Sequence, residues 1–450
     1  MRPLTSLLSR KSCFPIAVIL VGFSQNLMLA QEFTPARQLG QASATNRYEI
    51  TPEGSTRPQQ RELTNDTIAT SAETTGDMSA WWDGMTSVAE ESVRSGPWAL
   101  HYGLTTAWEY DSNFNLDAGN AAIGGGQSGD TQIFSVSPYG VLTFGQPGHG
   151  LDFQLRYSPE FRWFSEENID NVINHNLSMS LGINGARSRM YANVGYSRNE
   201  NGNVEVGNLV SSDTYTIGLG GSYDVSPKTT IGATLNTNIS EYEAFNSFSN
   251  FALGLFVDYA VTPKTRLGLG VGYDHLQQDN NRNANAYNVN LRFNWSATAK
   301  TGIAGSLGVE QREYDGGESM IAAIGRIGVY YNPTEKLGLQ LSAYRNASPS
   351  IGAADGMFYS TGLAFTSNLQ LTSRVSASLS IGFENAQYES TGGDEFTGRE
   401  DDYFFVRPAF TFFLSSHLSM NLFYQFTNND TTAGNSFSRN QVGVSLTLAY

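Results

Sequence analysis

The chain has 450 residues and a formal net charge of −15, and only 15% of its residues are charged. That share is low for a soluble domain, where roughly 25% is usual. An acidic balance argues against nucleic acid as a partner, because affinity for nucleic acid depends on neutralising phosphates. The single cysteine, Cys13, lies near the amino terminus, so the rest of the chain has neither a disulfide nor a thiolate metal site.

The first 30 residues have the pattern of a secretory signal peptide. Arg2, Arg10 and Lys11 form a basic start, and apolar residues follow at 14–21 and 27–29. We predict cleavage after Ala30, which removes three basic residues and changes the net charge from −15 to −18. The alternative is an amino-terminal helix of a soluble protein.

Residues 31–97 form a separate segment before the first regular pattern. They are rich in Thr, Pro, Gln, Glu and Arg without periodicity, which predicts a disordered periplasmic linker. Within it, residues 78–94 place their apolar side chains near one face and predict a short amphipathic helix. That helix would pack on a rim or enter a lumen.

From Trp98 to Tyr450 the chain is a series of predicted hairpins. Short turn signals alternate with longer polar loops, and eight turns with nine loops connect eighteen strands. The turns are 146–148, 184–187, 226–229, 262–265, 298–301, 332–336, 372–374 and 415–417; the longer loops include 112–130, 199–211, 277–285, 347–356 and 390–401.

The two faces of these strands differ in chemistry. Residues 287–295 alternate Tyr, Val, Leu, Phe and Trp with Asn, Asn, Arg and Asn. Strands with one aliphatic face, one small polar face and aromatics near their ends are typical of transmembrane β-barrels. The pattern predicts an all-β fold, a transmembrane up-and-down antiparallel barrel of about 18 strands over 98–450. The alternative folds, a propeller or a solenoid, would need a packed face of large apolar residues. One strand, 131–144, is ambiguous because both of its faces carry apolar residues and Pro138 interrupts it.

The last ten residues form an alternating strand that ends on an aromatic residue. The apolar face carries Val442, Val444, Leu446, Leu448 and Tyr450. This strand resembles the terminal recognition strand of bacterial outer-membrane barrels. The resemblance implies that these five residues are an assembly signal read by the barrel assembly machinery.

A second resemblance lies at the exit of the first strand. Residues 108–114, Trp-Glu-Tyr-Asp-Ser-Asn-Phe, resemble the Tyr-Asp-x-Asn element of one of the β-barrel porin families of outer membranes. With the hairpin pattern over 98–450, the chain is similar to those families. The resemblance implies an outer-membrane location in a Gram-negative-type bacterium.

The ionisable residues offer little catalytic chemistry. None of the five histidines has metal-ligand spacing with another, so we predict no metal, no cofactor and no enzymatic activity. The charges on the polar face of the strands are instead candidates for lining a pore, where they would set solute preference. The candidates are Arg156, Arg162, Arg292, Arg312, Arg326, Arg407, Asp152, Glu160, Asp258, Glu310 and Glu384.

Two interpretations of these charges stay open. Unpaired arginines would favour anionic solutes, whereas arginines paired across neighbouring strands would only make the wall rigid. The preferred function is a porin-like channel for passive diffusion of small hydrophilic solutes. The partners expected for it are outer-membrane lipid and, as one possibility, further copies of the same chain in a homo-oligomer. The alternatives are a secretion channel for an anionic polysaccharide and a structural or adhesive barrel with a closed lumen.

Overall fold

A computed structural model describes residues 93–95, 97–114, 116, 129–146, 149–166, 169–279, 283–315, 319–352, 356–389, 398–433 and 436–450. The predicted signal peptide (1–30) and nearly all of the predicted linker (31–97) lie outside these residues. Of the helix predicted over 78–94, only Val93 and Arg94 are described, and both lie in a strand. The described residues contain no helix that is long and apolar enough to span a membrane.

The described residues form nineteen strands. In chain order they are β1 (Val93–Ser95), β2 (Trp98–Asp111), β3 (Thr131–Gln146), β4 (His149–Phe164), β5 (Val172–Asn184), β6 (Ser188–Asn203), β7 (Asn208–Ser226), β8 (Thr229–Tyr242), β9 (Phe248–Thr262), β10 (Thr265–Gln278), β11 (Ala284–Trp295), β12 (Thr301–Tyr314), β13 (Ser319–Thr334), β14 (Leu337–Pro349), β15 (Met357–Thr372), β16 (Val375–Glu389), β17 (Glu400–Phe413), β18 (Leu418–Thr431) and β19 (Phe437–Ala449).

Strands β2 to β19 close into one ring. Each pairs antiparallel with its neighbours in sequence, and β19 pairs with β2 from Gln441↔Asp111 to Ala449↔Gly103. The three-residue β1 pairs with the first residues of β2, from Val93↔Leu100 to Ser95↔Trp98. These residues of β2 come before Gly103, where its pairing with β19 ends. The predicted eighteen-strand up-and-down barrel is therefore confirmed, and both ends of the ring's chain lie at the same rim.

The strands form because apolar and polar residues alternate with period two. On β11, Val289 and Leu291 are 61% and 47% exposed, whereas Asn288 and Asn290 are 2% and 7% exposed. An outer wall of exposed aliphatic and aromatic side chains around a polar interior is stable only in a lipid environment. Closure of the ring gives the backbone N–H and C=O groups of the strands hydrogen-bond partners, which the lipid of a bilayer cannot supply. The fold is that of an outer-membrane protein, as expected from the sequence.

Substitutions on opposite faces of β16 should differ in cost. Leu379 lies on the same face as Phe383, which is exposed on the outer wall, and Ser378 lies on the opposite face. We expect Leu379→Arg to lower the free energy of unfolding by about 2–4 kcal/mol if the site is near the bilayer midplane, because the charge enters lipid. The matched variant Ser378→Arg should fold as the native protein does. Equal unfolding midpoints for the two variants in denaturant titrations would contradict the assignment of faces.

The eight predicted short turns all fall between consecutive strands, which places them at the rim that holds the chain ends. Short turns lie on the periplasmic side of such barrels. One predicted loop was wrong in its bounds. Residues 199–203 and 208–211 belong to β6 and β7, which stay paired up to Asn203↔Asn208. The polar side chains of these residues predicted a loop. The β6–β7 hairpin instead extends beyond the bilayer, where both faces of a strand tolerate polar residues.

The strand predicted to be ambiguous, β3, is continuous from Thr131 to Gln146. Pro138 lies in its middle, and pairing with β4 is interrupted there, between Val136↔Phe161 and Gly140↔Tyr157. A proline has no amide hydrogen to donate to the ladder, which explains the interruption. Both faces tolerate apolar residues because the inward side chains Ile133 and Tyr139 are buried, at 3% and 8% exposure.

Candidate functional site: the barrel lumen

The lumen has two halves with different packing, and β16 shows the change along one strand. At its periplasmic end the inward residues Ser376, Ser378 and Ser380 are half-buried. Farther along, the inward Glu384 and Tyr388 are 2% and 3% exposed. The periplasmic half of the wall therefore lines an accessible space, whereas the extracellular half is covered by other parts of the chain.

Part of this cover is the end of the β14–β15 hairpin. β14 pairs with β13 only as far as Gly325↔Arg345, although both strands continue beyond that point. Beyond it, residues 347–350 and 357–360 are buried on both faces. The Tyr359 hydroxyl donates to Met320 Sδ at 3.1 Å, and Met320 is on the inward face of β13. We call residues 346–352 and 356–360 the inward hairpin, because they separate from β13 and lean into the mouth of the barrel, while residues 357–360 stay paired with β16.

Glu205 binds the inward hairpin from the other side of the ring. It lies between β6 and β7 and is 3% exposed. Its carboxylate accepts hydrogen bonds from the Ser350 hydroxyl, the Ile351 N–H at 3.2 Å and the Gly352 N–H at 3.0 Å. Burial raises the pKa of the Glu205 carboxyl above its ordinary value, although these donors and the nearby Arg399 guanidinium act in the opposite direction.

Apolar side chains complete the packing of the mouth in two clusters. The first joins β7–β11 to the inward hairpin through Val210, Tyr242, Phe248, Leu276, Ala284, Ala347, Ile351, Met357 and Tyr359. The second joins the β2–β3 loop and the β6–β7 turn to β15, β17 and β19 through Leu116, Val204, Ala364, Tyr403, Phe405 and Phe437. The extracellular mouth is therefore narrowed by a small hydrophobic core inside the ring.

The alternation of each strand places all eleven pore-lining candidates on the inward face. They are Arg156, Arg162, Arg292, Arg312, Arg326, Arg407, Asp152, Glu160, Asp258, Glu310 and Glu384. Their surroundings differ, however, because some are in ion pairs and others stack on aromatic rings. That they line a conducting pore stays a prediction.

Arg292 is held in an ion pair that spans three strands. Its Nε and Nη2 donate to Asp258 at 2.8 Å and 3.0 Å, and its guanidinium lies 3.9 Å from the centre of the Phe256 ring. Gly268 on β10 lies between the two charges in register, and a Cβ there would overlap the Asp258 carboxylate. Arg292 was a pore-lining candidate from the sequence, whereas the geometry shows a charge that is already neutralised.

Arg312 and Glu310 form a second neutralised pair on one strand. Both are nearly fully buried, and Arg312 donates to Glu310 Oε1 from Nε at 3.0 Å and from Nη2 at 2.7 Å. Glu384 accepts a hydrogen bond from the Tyr344 hydroxyl. These three candidates lie in the packed extracellular half, where charges act mainly as fixed parts of the wall.

Three of the four candidates on β4 bind neutral partners. Arg162 donates to Asn201 Oδ1 at 2.6 Å and to the Glu200 carbonyl at 3.4 Å. Asp152 accepts from Asn184 Nδ2, and Glu160 accepts from Asn174 Nδ2, each at 3.1 Å. These hydrogen bonds to Asp152 and Glu160 come from amides and not from arginines.

Two other arginines stack on aromatic rings of the inner wall. The Arg156 guanidinium lies 5.6 Å from the centre of the Tyr139 ring, and that of Arg407 lies 4.4 Å from the centre of the Phe423 ring. Stacking occupies the faces of a guanidinium and leaves its N–H groups in the plane. Arg326 on β13 lies two strands from Arg292 on β11, and Ser306 of β12 lies between them in the same register row.

Sequence reasoning missed a charged cluster at the seam between β2 and β19. Arg439 contacts Asp111, with 2.9 Å between its Nε and Oδ1, and Asp111 is fully buried. Gln441 donates to Glu109 Oε1 at 2.7 Å. Asn113 donates through Nδ2 to the Ser438 carbonyl at 3.2 Å. The Tyr-Asp-x-Asn element thus joins the first strand of the ring to the last, which its resemblance to other barrels did not indicate.

Among the described residues, no group of three or more His, Cys, Asp or Glu side chains is placed to hold a metal ion. No family model matches this sequence, and no curated protein matches it.

Three solved structures illustrate how distant the likeness to known structures is. Pseudomonas aeruginosa OccK1 (OpdK) has 11% identity and a TM-score of 0.44, over 78% of this chain and 99% of that one. Acinetobacter baumannii OccAB4 has 12% identity and a TM-score of 0.41, over 78% and 98%. The siderophore receptor PirA of Pseudomonas aeruginosa has 12% identity and a TM-score of 0.38, over 78% and 80%. At such values the likeness carries no argument about function, and the fold rests on the strand pairing itself.

Proposed function

We propose that this barrel is a porin-like channel for passive diffusion of small hydrophilic solutes across the outer membrane. The observation that carries the proposal is the periplasmic half of the lumen, where small polar side chains such as Ser376 and Ser378 are accessible. A ring of eighteen strands is wide enough to leave an aqueous channel. The inward hairpin narrows this channel at its extracellular mouth.

Planar-bilayer conductance of the purified protein tests the proposal. A channel gives discrete, voltage-independent steps whose size scales with salt concentration. A barrel that stays silent over the whole salt range would favour the second candidate, a structural barrel with a closed lumen. The packed clusters at the mouth are the observation that supports this candidate.

We further propose that Arg326 and Arg407, whose side chains are half-buried and face the lumen, favour anions, whereas Arg292 is buried in its ion pair with Asp258. Replacing Arg326 and Arg407 together by Gln should shift the reversal potential in a salt gradient toward cations. The matched variant Arg292→Gln should leave selectivity nearly unchanged and lower thermal stability, because Asp258 would lose its partner. A wild-type pore that already prefers cations would contradict both the anion preference and a role in exporting an anionic polysaccharide.

We also propose that β19 carries the assembly signal. Val442, Leu446 and Leu448 are exposed on the outer wall, and the Tyr450 ring stacks on Tyr102 and His417. An exposed edge of this strand could pair with the assembly machinery before the ring closes. Deleting Tyr450 should reduce the amount of heat-modifiable barrel in outer-membrane fractions. Equal yields of folded barrel with and without Tyr450 would show that Tyr450 is not part of the assembly signal.

A further inference from the structure

The charges of this acidic protein are separated between the two rims. Each of the four lysines after Lys11 lies in a periplasmic turn. Exposed acidic residues lie near the opposite, extracellular ends of the strands; they include Glu241, Asp279, Glu313, Glu400 and Asp402. The net charge of −15 therefore conceals a basic surface at one end of the barrel.

Six consecutive turns, from β7–β8 to β17–β18, share one geometry. In each, the side-chain hydroxyl of a Ser or Thr accepts a hydrogen bond from the N–H of a basic residue two positions later, a turn that hydroxyl residues favour. The pairs are Ser226 and Lys228, Thr262 and Lys264, Thr298 and Lys300, Thr334 and Lys336, Thr372 and Arg374, and Ser415 and His417, with oxygen–nitrogen distances of 3.2, 3.2, 3.1, 3.3, 3.1 and 3.2 Å. We call these the basic turns.

A second hydrogen bond links each basic turn to the next hairpin. The carbonyl of the basic residue accepts from a strand N–H: Lys228 from Ala260 at 2.7 Å, and Lys264 from Ser296 at 2.8 Å. The same bond recurs at the other four basic turns. The backbone of every basic residue is thus fixed at an equivalent place, two strands or about 10 Å from the next.

The basic turns lie directly beside the lipid-facing wall. Val225, Val261, Leu371 and Leu414 are each about half exposed on the outer wall, and each precedes the basic residue of its turn by three positions. Three residues span at most about 10 Å. The side chains of Lys228, Lys264 and Arg374 therefore reach the headgroup level of the inner leaflet and not the bulk periplasm.

We propose that the basic turns form a binding surface for the phosphates of anionic phospholipids in the periplasmic leaflet. Lysine ammonium groups on flexible stems suit phosphate as point charges. Acidic groups at this end include Glu335, beside Lys336, and Asp224, which pairs with Arg189 at 3.3 Å. The six basic turns occupy about two-thirds of the periplasmic rim. Binding of lipid phosphates to this surface does not depend on whether the lumen conducts ions.

Native mass spectrometry of the folded, full-length protein tests this surface with phosphatidylglycerol and phosphatidylcholine of equal chain length. The wild-type barrel should retain phosphatidylglycerol in preference to phosphatidylcholine. The variant Lys228→Gln, Lys264→Gln, Lys300→Gln, Lys336→Gln should lose that preference by at least about tenfold, because each lysine near an anionic surface contributes roughly fivefold in binding. A wild type without preference, or a quadruple variant that keeps it, overturns the proposal.

Two control variants test whether a loss of lipid preference is due to the basic turns rather than to a change in net charge or to misfolding. Glu241→Gln, Glu313→Gln, Glu400→Gln and Asp402→Asn together change the same number of charges at the other rim, and this variant should keep the lipid preference. The four lysines replaced by Arg should also keep it. If the Gln variant does not show the heat-modifiable mobility of a folded barrel, Lys228→Gln with Lys336→Gln replaces it, and a partial loss of preference is then expected.

A soluble polyanion is the competing partner for the same charges. Binding of polygalacturonate, measured by calorimetry, distinguishes the two. If the Gln variant loses polygalacturonate binding while its phosphatidylglycerol preference equals that of the wild type, the basic turns serve a soluble polyanion and the lipid proposal is overturned.

Discussion

Replacing Glu205 by Ala should increase the single-channel conductance severalfold. The carboxylate of Glu205 binds the Ser350 hydroxyl and the N–H groups of Ile351 and Gly352, so it holds the inward hairpin against the opposite wall. Removing it leaves buried donors unsatisfied at about 1–3 kcal/mol each, and those donors regain partners only if the hairpin moves toward water. The measurement is conductance in planar bilayers at fixed salt.

Glu243→Ala is the matched control for Glu205→Ala. Glu243 is an exposed residue in the neighbouring extracellular loop, so the variant removes one negative charge from the same mouth without touching the inward hairpin. We expect its conductance to equal that of the wild type. Conductance that is unchanged in Glu205→Ala would mean that the inward hairpin does not narrow the channel.

The same contact predicts the sign of a pH effect. Because burial raises the pKa of Glu205, the closed arrangement binds the proton more tightly than an arrangement in which this carboxyl is solvated. The resulting stabilisation is complete below the ordinary carboxyl pKa and is lost as the pH rises through the raised value. Conductance should therefore increase with pH over that interval in the wild type, and Glu205→Gln should show no such increase.

Replacing Arg439 by Gln should lower the free energy of unfolding by about 3–5 kcal/mol, because it leaves the buried Asp111 carboxylate without its cation. The pair crosses the seam between β2 and β19, the two strands that must meet to close the ring. The effect should appear as a lower midpoint in urea unfolding, followed by the gel mobility of the folded barrel. The double variant Asp111→Asn with Arg439→Gln should recover most of the loss.

Arg189→Gln provides the control for Arg439→Gln. Arg189 and Asp224 also form an ion pair between neighbouring strands, but their side chains are 44% and 35% exposed. An exposed pair contributes at most about 1 kcal/mol. Equal losses for the two variants would show that the seam pair has no special part in closing the ring.

Strand pattern and turn chemistry predicted nearly all of the ring. The turns at 226–229 and 262–265 are placed correctly because Pro, Lys and Thr there have strong local preferences. The loop at 199–211 was placed wrongly because its polar residues extend a hairpin above the bilayer. In that region the apolar–polar alternation that reveals a strand is no longer enforced by lipid.

The inward direction of the candidate charges also followed from the sequence, since period two assigns a face to every residue of a strand. Their partners did not follow. Arg292 meets Asp258 across Gly268, and Arg439 meets Asp111 across the closed ring, 328 positions apart in sequence. Such pairs depend on the register between strands, which the residues of a single strand do not encode.

The sequence by itself determined an eighteen-strand barrel with a lipid-facing outer wall and a polar inner wall, because those features depend on composition and on a period of two along each strand. Only the tertiary structure decided how the lumen is filled. The inward hairpin, its contact with Glu205 and the arc of basic turns all depend on which strands become neighbours around the ring. Closure of the ring brings together residues such as Glu205 and Ser350, which lie far apart in the chain and have no local preference for each other.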